Sequence, residues 1–197
     1  MRNGLRRRQE GVVLMIALIM LVAMSLAGVA LMRSVETAVI VAGNFAFKEA
    51  GVQVADRGVQ EASRWLSANS AGSTLQNDNS PAGYYSSLPT TDPDYFDLAN
   101  WSSSVLMNSG TPDASGNSVR YVIHRMCVLP ATPYNDPFPQ ECGTQASRAT
   151  SEGGSKKSQS FQFEGPPILY YRVTTRVDGP RNTVTVIQTS LAVPIGA

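Results

Sequence analysis

Histidine is almost missing from this 197-residue chain, His124 being its one imidazole. That excludes a His-rich zinc site and an HExxH metalloprotease, which needs two histidines on one helix face. Cysteine is equally scarce. Cys127 and Cys142 stand alone, too few for a disulfide-dense scaffold or a four-cysteine metal site. There is no excess of basic charge: sixteen Lys and Arg oppose fifteen Asp and Glu. Nothing is left over to neutralise a phosphate backbone, which argues against nucleic acid as a partner. Proline is absent from residues 12–66, and charge is absent from residues 11–32. The length suits one domain, or one domain with an appendage.

The uncharged run reads GVVLMIALIMLVAMSLAGVALM. As a helix rising ~1.5 Å per residue it spans about 33 Å, close to the hydrocarbon thickness of a bilayer. Before it, Arg2, Arg6, Arg7 and Arg8 face one acid, Glu10. Such a basic flank belongs on the cytoplasmic side, so the expected orientation is N-in, C-out, with everything beyond Arg33 outside the cytoplasm. A cleaved secretory signal is the alternative, with SLAG at 25–28 as a small-residue cleavage site. The apolar cores of such signals are shorter, roughly 7–15 residues.

Helical spacing continues past Met32. Val35, Val39, Ala42, Ala46, Ala50, Val54, Gly58, Ala62 and Leu66 recur every three or four positions. Arg33, Glu36, Lys48, Asp56, Arg57, Glu61 and Arg64 lie mainly off this stripe. One helix of ~55 residues is expected, apolar in its first half (12–32) and amphipathic in its second (33–66). Gly28, Gly43, Gly51 and Gly58 weaken it by ~1 kcal/mol each relative to alanine, and Gly43-Asn44 is the expected bend. Small residues along the stripe let a sheet or another helix come close.

Residues 67–197 have the size of a small domain able to bury roughly two thirds of its unfolded surface. Segment 68–91 reads as loop with room for a short helix in it, and 147–160 (SRATSEGGSKKSQS) reads as a solvated loop. Strand signals occupy 119–129 (VRYVIHRMCVL), 168–177 (ILYYRVTTRV) and 183–193 (TVTVIQTSLAV). Asp178-Gly179-Pro180-Arg181-Asn182 between the last two is strong turn chemistry. Alternation sets Leu169, Tyr171, Val173 and Val177 on one face, with Tyr170, Arg172 and Arg176 on the other. The expectation is an α+β head: an antiparallel meander of at least three strands, one face covered by the amphipathic half of the long helix.

Cys127 and Cys142 enclose a loop holding Pro130, Pro133, Pro137 and Pro139. Outside the cytoplasm a disulfide is the default, worth ~3 kcal/mol for a loop of this length, and it would staple a segment whose own residues hold the sheet poorly. Free thiols or shared metal ligands are the other readings. Asp92, Asp94 and Asp97 (TDPDYFD) offer hard oxygen ligands for calcium, although aspartates in a proline-bearing loop more often form turns and caps. His124 sits in a strand beside Arg125. A Ser-His-Asp hydrolase is arithmetically possible, but no GxSxG elbow exists. No cofactor is implied, and the chain reads as a non-enzyme.

A short basic leader ending in glycine (RRRQEG), an apolar helix directly behind it (VVLMIALIM), an amphipathic continuation and a sheet-based head together resemble type IV pilins, most nearly the PilX type of minor pilin. The likeness is carried by residues 9–20 (QEGVVLMIALIM), 31–36 (LMRSVE), 42–50 (AGNFAFKEA) and the late hairpin YRVTTRVDGPRNTVTVIQTSL. It implies a leader of residues 1–11 removed by prepilin peptidase after Gly11, and methylation of the new N-terminus at Val12. It also implies a type IV pilin-like fold. Implied partners are the inner membrane before assembly, then other minor and major pilins through the N-terminal helix, and a tip adhesin. Major pilins start with phenylalanine, where this chain has Val12. They carry a membrane glutamate four residues later, where this chain has Ile16. A membrane carboxylate is costly unless paired, and the family pairs it with a neighbour's terminal amine. Ile16 cannot do so, which favours a minor over a major pilin. The resemblance extends to the pseudopilins of type II secretion, whose tip subunit also lacks the glutamate and which often bind calcium. A plain single-pass binding module with an uncleaved helix remains a further reading.

Overall fold

A computed structural model describes residues 10–145 and 166–195. Most of the leader (residues 1–9) and the loop expected at 147–160 lie outside the described residues. The chain divides into two units, Met1–Phe47 and Lys48–Ala197. The described part of the first is helix alone. Helix α1 runs Glu10–Ala68, and its helical assignment passes through Gly43 and Asn44 without a break. It stops where Asn69 turns its amide onto the Trp65 carbonyl at 2.8 Å, satisfying a group the last turn leaves open.

In the second unit the last turns of α1 cover a six-stranded sheet. Its strands are β1 Tyr84–Tyr85, β2 Val105–Leu106, β3 Ser118–Arg125, β4 Thr144–Gln145, β5 Ile168–Gly179 and β6 Thr183–Pro194. Strand β5 is central, with β6 on one side and β3 and β4 on the other. The expected hairpin is therefore present, closed over Pro180–Asn182 with Arg181 and Asn182 at positive φ. The sheet is mixed rather than purely antiparallel. Tyr84 and Tyr85 run parallel to Ile123 and His124, whereas Val105 and Leu106, reached after a long loop, run antiparallel to Tyr121 and Arg120.

Register sets every odd-numbered residue of β3, β5 and β6 on one face. Tyr121, Ile123, Leu169, Tyr171, Val173 and Val193 form one core with Ala62 and Leu66 of α1, and Tyr84 of β1 joins them. Val119 and Val177 form a second with Ala55. The buried helix stripe is Gly51, Ala55, Gly58, Ala62 and Leu66, whereas Ala50 is exposed and Val54 half-buried. Close approach selects the smallest side chains over the most apolar ones. Gly58 makes this plain, since a Cβ there would stand 2.6 Å from Thr175 Cγ2.

The even-numbered face is not left to water. A loop through residues 87–104 crosses it, and Arg176, expected to point outward, is only 4% exposed. Its guanidinium donates to the Phe96 carbonyl at 2.6 Å, the Tyr95 carbonyl at 3.2 Å and Asp178 at 2.8 Å. Backbone carbonyls from a distant loop thus solvate the arginine.

Candidate functional site

Three features carry chemistry, and the apolar helix is the largest. Residues 12–42 are exposed without exception, among them Val12 and Ile16. Glycine 11 is the second residue of α1. Composition and length make this helix long and apolar enough to cross a membrane. Exposure of large apolar side chains does not end with the uncharged run: Val35, Val39, Ile40, Val41 and Phe45 are exposed as well.

The second feature is the cysteine loop. Cys127 and Cys142 form a disulfide closing a separation of 15 residues. The expected staple is present, and hydrogen bonds supplement it. Gln140, nearly buried, accepts from Leu129 N–H at 2.8 Å and donates to the Leu129 carbonyl at 3.2 Å. Arg125, 2% exposed, donates to the Ser86 carbonyl at 2.7 Å and the Thr132 carbonyl at 2.6 Å. Ser86 hydroxyl donates to Asp78 at 2.6 Å and accepts from Ala131 N–H at 2.9 Å. Sequence spacing could not reveal this knot, because hydrogen-bonded partners in it lie up to 45 positions apart.

The third feature lies on the even-numbered face, where a cavity of about 290 Å³ opens between β3 and the loop over it. His124 and Val122 form its floor, and Tyr85, Tyr95 and Trp101 stand in its walls. Tyr85 stacks on His124 with ring centres 5.3 Å apart, and Tyr95 meets Trp101 edge-on at 5.7 Å. Trp101 Nε1 donates to the Tyr95 carbonyl at 2.9 Å, and Tyr85 hydroxyl donates to the Ser103 carbonyl at 3.1 Å. The His124 side chain makes no hydrogen bond among the described residues, and its buried Nδ1 is unpartnered. Burial, with the nearby charge of Arg172 second, pushes this imidazole down from 6.5 to about 4, so the ring is neutral near pH 7. Among the described residues no carboxylate or hydroxyl is hydrogen-bonded to this ring, as a Ser-His-Asp triad would require.

The acidic trio is dispersed among local tasks. Asp92 pairs with Arg172 at 2.7 Å, Asp94 accepts from Phe96 N–H at 2.9 Å, and Asp97 caps a short 3-10 turn through Ala99 N–H at 3.0 Å. Among the described residues no group of three His, Cys, Asp or Glu is placed to hold a metal ion. Tyr84 and Tyr171 are buried packing groups. Burial raises both hydroxyls, that of Tyr171 to about 12. No protein-family model, no curated protein and no solved structure matches this chain.

Proposed function

We propose that this chain is a minor pilin of a type IV pilus, whose task is assembly and not catalysis. The observation that carries the proposal is apolar exposure that outruns a bilayer. About 20 residues suffice to cross the hydrocarbon, and residues 12–32 supply them. Beyond Arg33, five further large apolar side chains from Val35 to Phe45 are exposed. A plain anchor has no use for them in water, whereas a bundle of like helices would bury them. In this reading prepilin peptidase cuts after Gly11 and the Val12 amine is methylated. The helix leaves the inner membrane for a filament core. The disulfide-bonded head then meets other pilins and a tip adhesin outside the cell, in support of adhesion and twitching motility. Ile16, unable to pair with a neighbour's terminal amine, suits a subunit that primes or ends the filament.

Mass spectrometry of the native protein tests this directly. The expected chain starts at Val12 with one added methyl group, and replacing Gly11 with leucine leaves it uncut in the inner membrane. A native chain that keeps Met1 and stays in the membrane would refute the proposal in favour of an anchored module. Loss of protein secretion with intact pili on deletion would move the chain to a type II secretion machine.

A further inference from the structure

The cavity over His124 has no part in the assembly function above, yet it is built as a binding site. Its volume of about 290 Å³ sits at the low end of small-molecule sites, roughly 300–1,000 Å³, which excludes a lipid tail or a helix. No charged side chain lines it. Both nearby cations are already paired with a carboxylate: the terminal nitrogens of Arg172 donate to Asp92 at 2.7 and 3.4 Å, and Arg176 donates to two carbonyls and Asp178. An ionic ligand would therefore be desolvated without compensation. The walls are aromatic, and hydrogen bonds from Trp101 and Tyr85 to backbone carbonyls hold two of those rings in place. Among the lining serines, the Ser104 hydroxyl is committed to the Trp101 carbonyl, while those of Ser87 and Ser103 have no hydrogen-bond partner among the described residues. His124, 92% buried by virtue of its 8% exposure, adds a neutral ring with an unpartnered nitrogen.

Fixed aromatic faces, free hydroxyls and no charge define the ligand's chemistry. It must be neutral, ring-sized, apolar on one face and hydroxylated at its edge. The electron-rich faces of Tyr and Trp attract the positive C–H edges of such a ring. We infer that the pocket bounded by Tyr85, Trp101 and His124 binds a single neutral sugar residue. The site stands whether or not the apolar helix enters a filament.

The test uses the full chain in a zwitterionic detergent without a sugar headgroup. Saturation-transfer difference NMR is recorded with glucose, galactose, mannose and N-acetylglucosamine, and with p-cresol as an apolar ring of similar size. At least one sugar should receive saturation, strongest at its ring C–H protons. Ser87→Trp, which fills the cavity from a half-buried position, should reduce that signal at least tenfold, and His124→Gln should weaken it several-fold. Near-UV circular dichroism verifies that each variant keeps its fold. If Ser87→Trp does not, Trp101→Phe takes its place, with the same expected loss. Transfer to none of the four sugars would overturn the inference. So would transfer to p-cresol alone, or a sugar signal that the cavity-filling variant leaves unchanged.

Discussion

Alanine is the better helix former, yet Gly58→Ala is expected to destabilise this protein. The added Cβ would meet Thr175 Cγ2 at 2.6 Å, Thr175 Oγ1 at 3.1 Å and Val119 Cγ1 at 3.2 Å. Neither neighbour can yield easily. Thr175 is fully buried on β5, which is paired on both sides, and its β-branched side chain is stiff about χ1. Forcing one methyl into such a site costs about 1–3 kcal/mol, against a gain of about 1 kcal/mol from replacing a helical glycine. The net expectation is a loss of about 1 kcal/mol, rising to about 2 if the strand cannot shift. Gly51 offers an internal comparison: its Cβ would lie 2.5 Å from Thr185 Oγ1, but Thr185 is only half-buried on β6 and can turn away. Gly51→Ala should therefore cost less. Gly43 has nothing within 4 Å of its Cβ position, so Gly43→Ala should leave the unfolding midpoint unchanged or higher. Urea unfolding of the full chain in micelles, followed by near-UV circular dichroism, reads all three. A Gly58→Ala protein as stable as its parent would show that the helix does not rest on the sheet this closely.

Two further outcomes follow from the head. His124 is depressed to about 4 in the folded chain against 6.5 unfolded, so its contribution is complete above pH 6.5 and is lost as the pH falls toward 4. The loss approaches about 3 kcal/mol at ~1.4 kcal/mol per pH unit; His124→Gln should flatten that part of the stability–pH curve, and identical curves for the two proteins would refute the assignment. Replacing Cys127 and Cys142 by serine should lower stability by about 3 kcal/mol without unfolding the sheet, since Gln140 and Arg125 still tie the loop down. An unchanged urea midpoint would show that the disulfide contributes nothing.

Much of this architecture is written in local pattern. The absence of proline and charge announces α1, and alternation around Asp178-Gly179-Pro180-Arg181-Asn182 announces the β5–β6 hairpin with its apolar face correctly phased. The phase of the helix stripe is harder. Hydrophobicity points to Ala50 and Val54, but contact with the sheet is governed by size, and Gly51 and Ala55 are the smaller neighbours. Strands β1 and β2 are two residues long and owe their existence to pairing with β3, so no period-2 signal can betray them. Arg176 misleads for a similar reason. A strand arginine reads as solvent-facing until its acceptors are known, and two of these are carbonyls some 80 positions away. The His124 cavity belongs to the same class of nonlocal facts.

The contrast between the two sheet faces explains where a binding cavity can arise. The odd-numbered face presents Val, Ile, Leu, Tyr and Thr, and a helix with a small-residue stripe closes on it to within contact distance. A helix could not have covered the other face. Arg176 and the Trp101 indole need acceptors, and a helix has spent its interior carbonyls on its own hydrogen bonds. Only irregular backbone carries spare carbonyls, and Tyr95 alone accepts from both groups. A segment shaped by those bonds cannot also follow the sheet surface atom for atom. The gap left over Val122 and His124 is the geometric consequence of solvating buried arginine with a loop. Concavity and aromatic lining therefore belong to the loop side, and close packing belongs to the helix side.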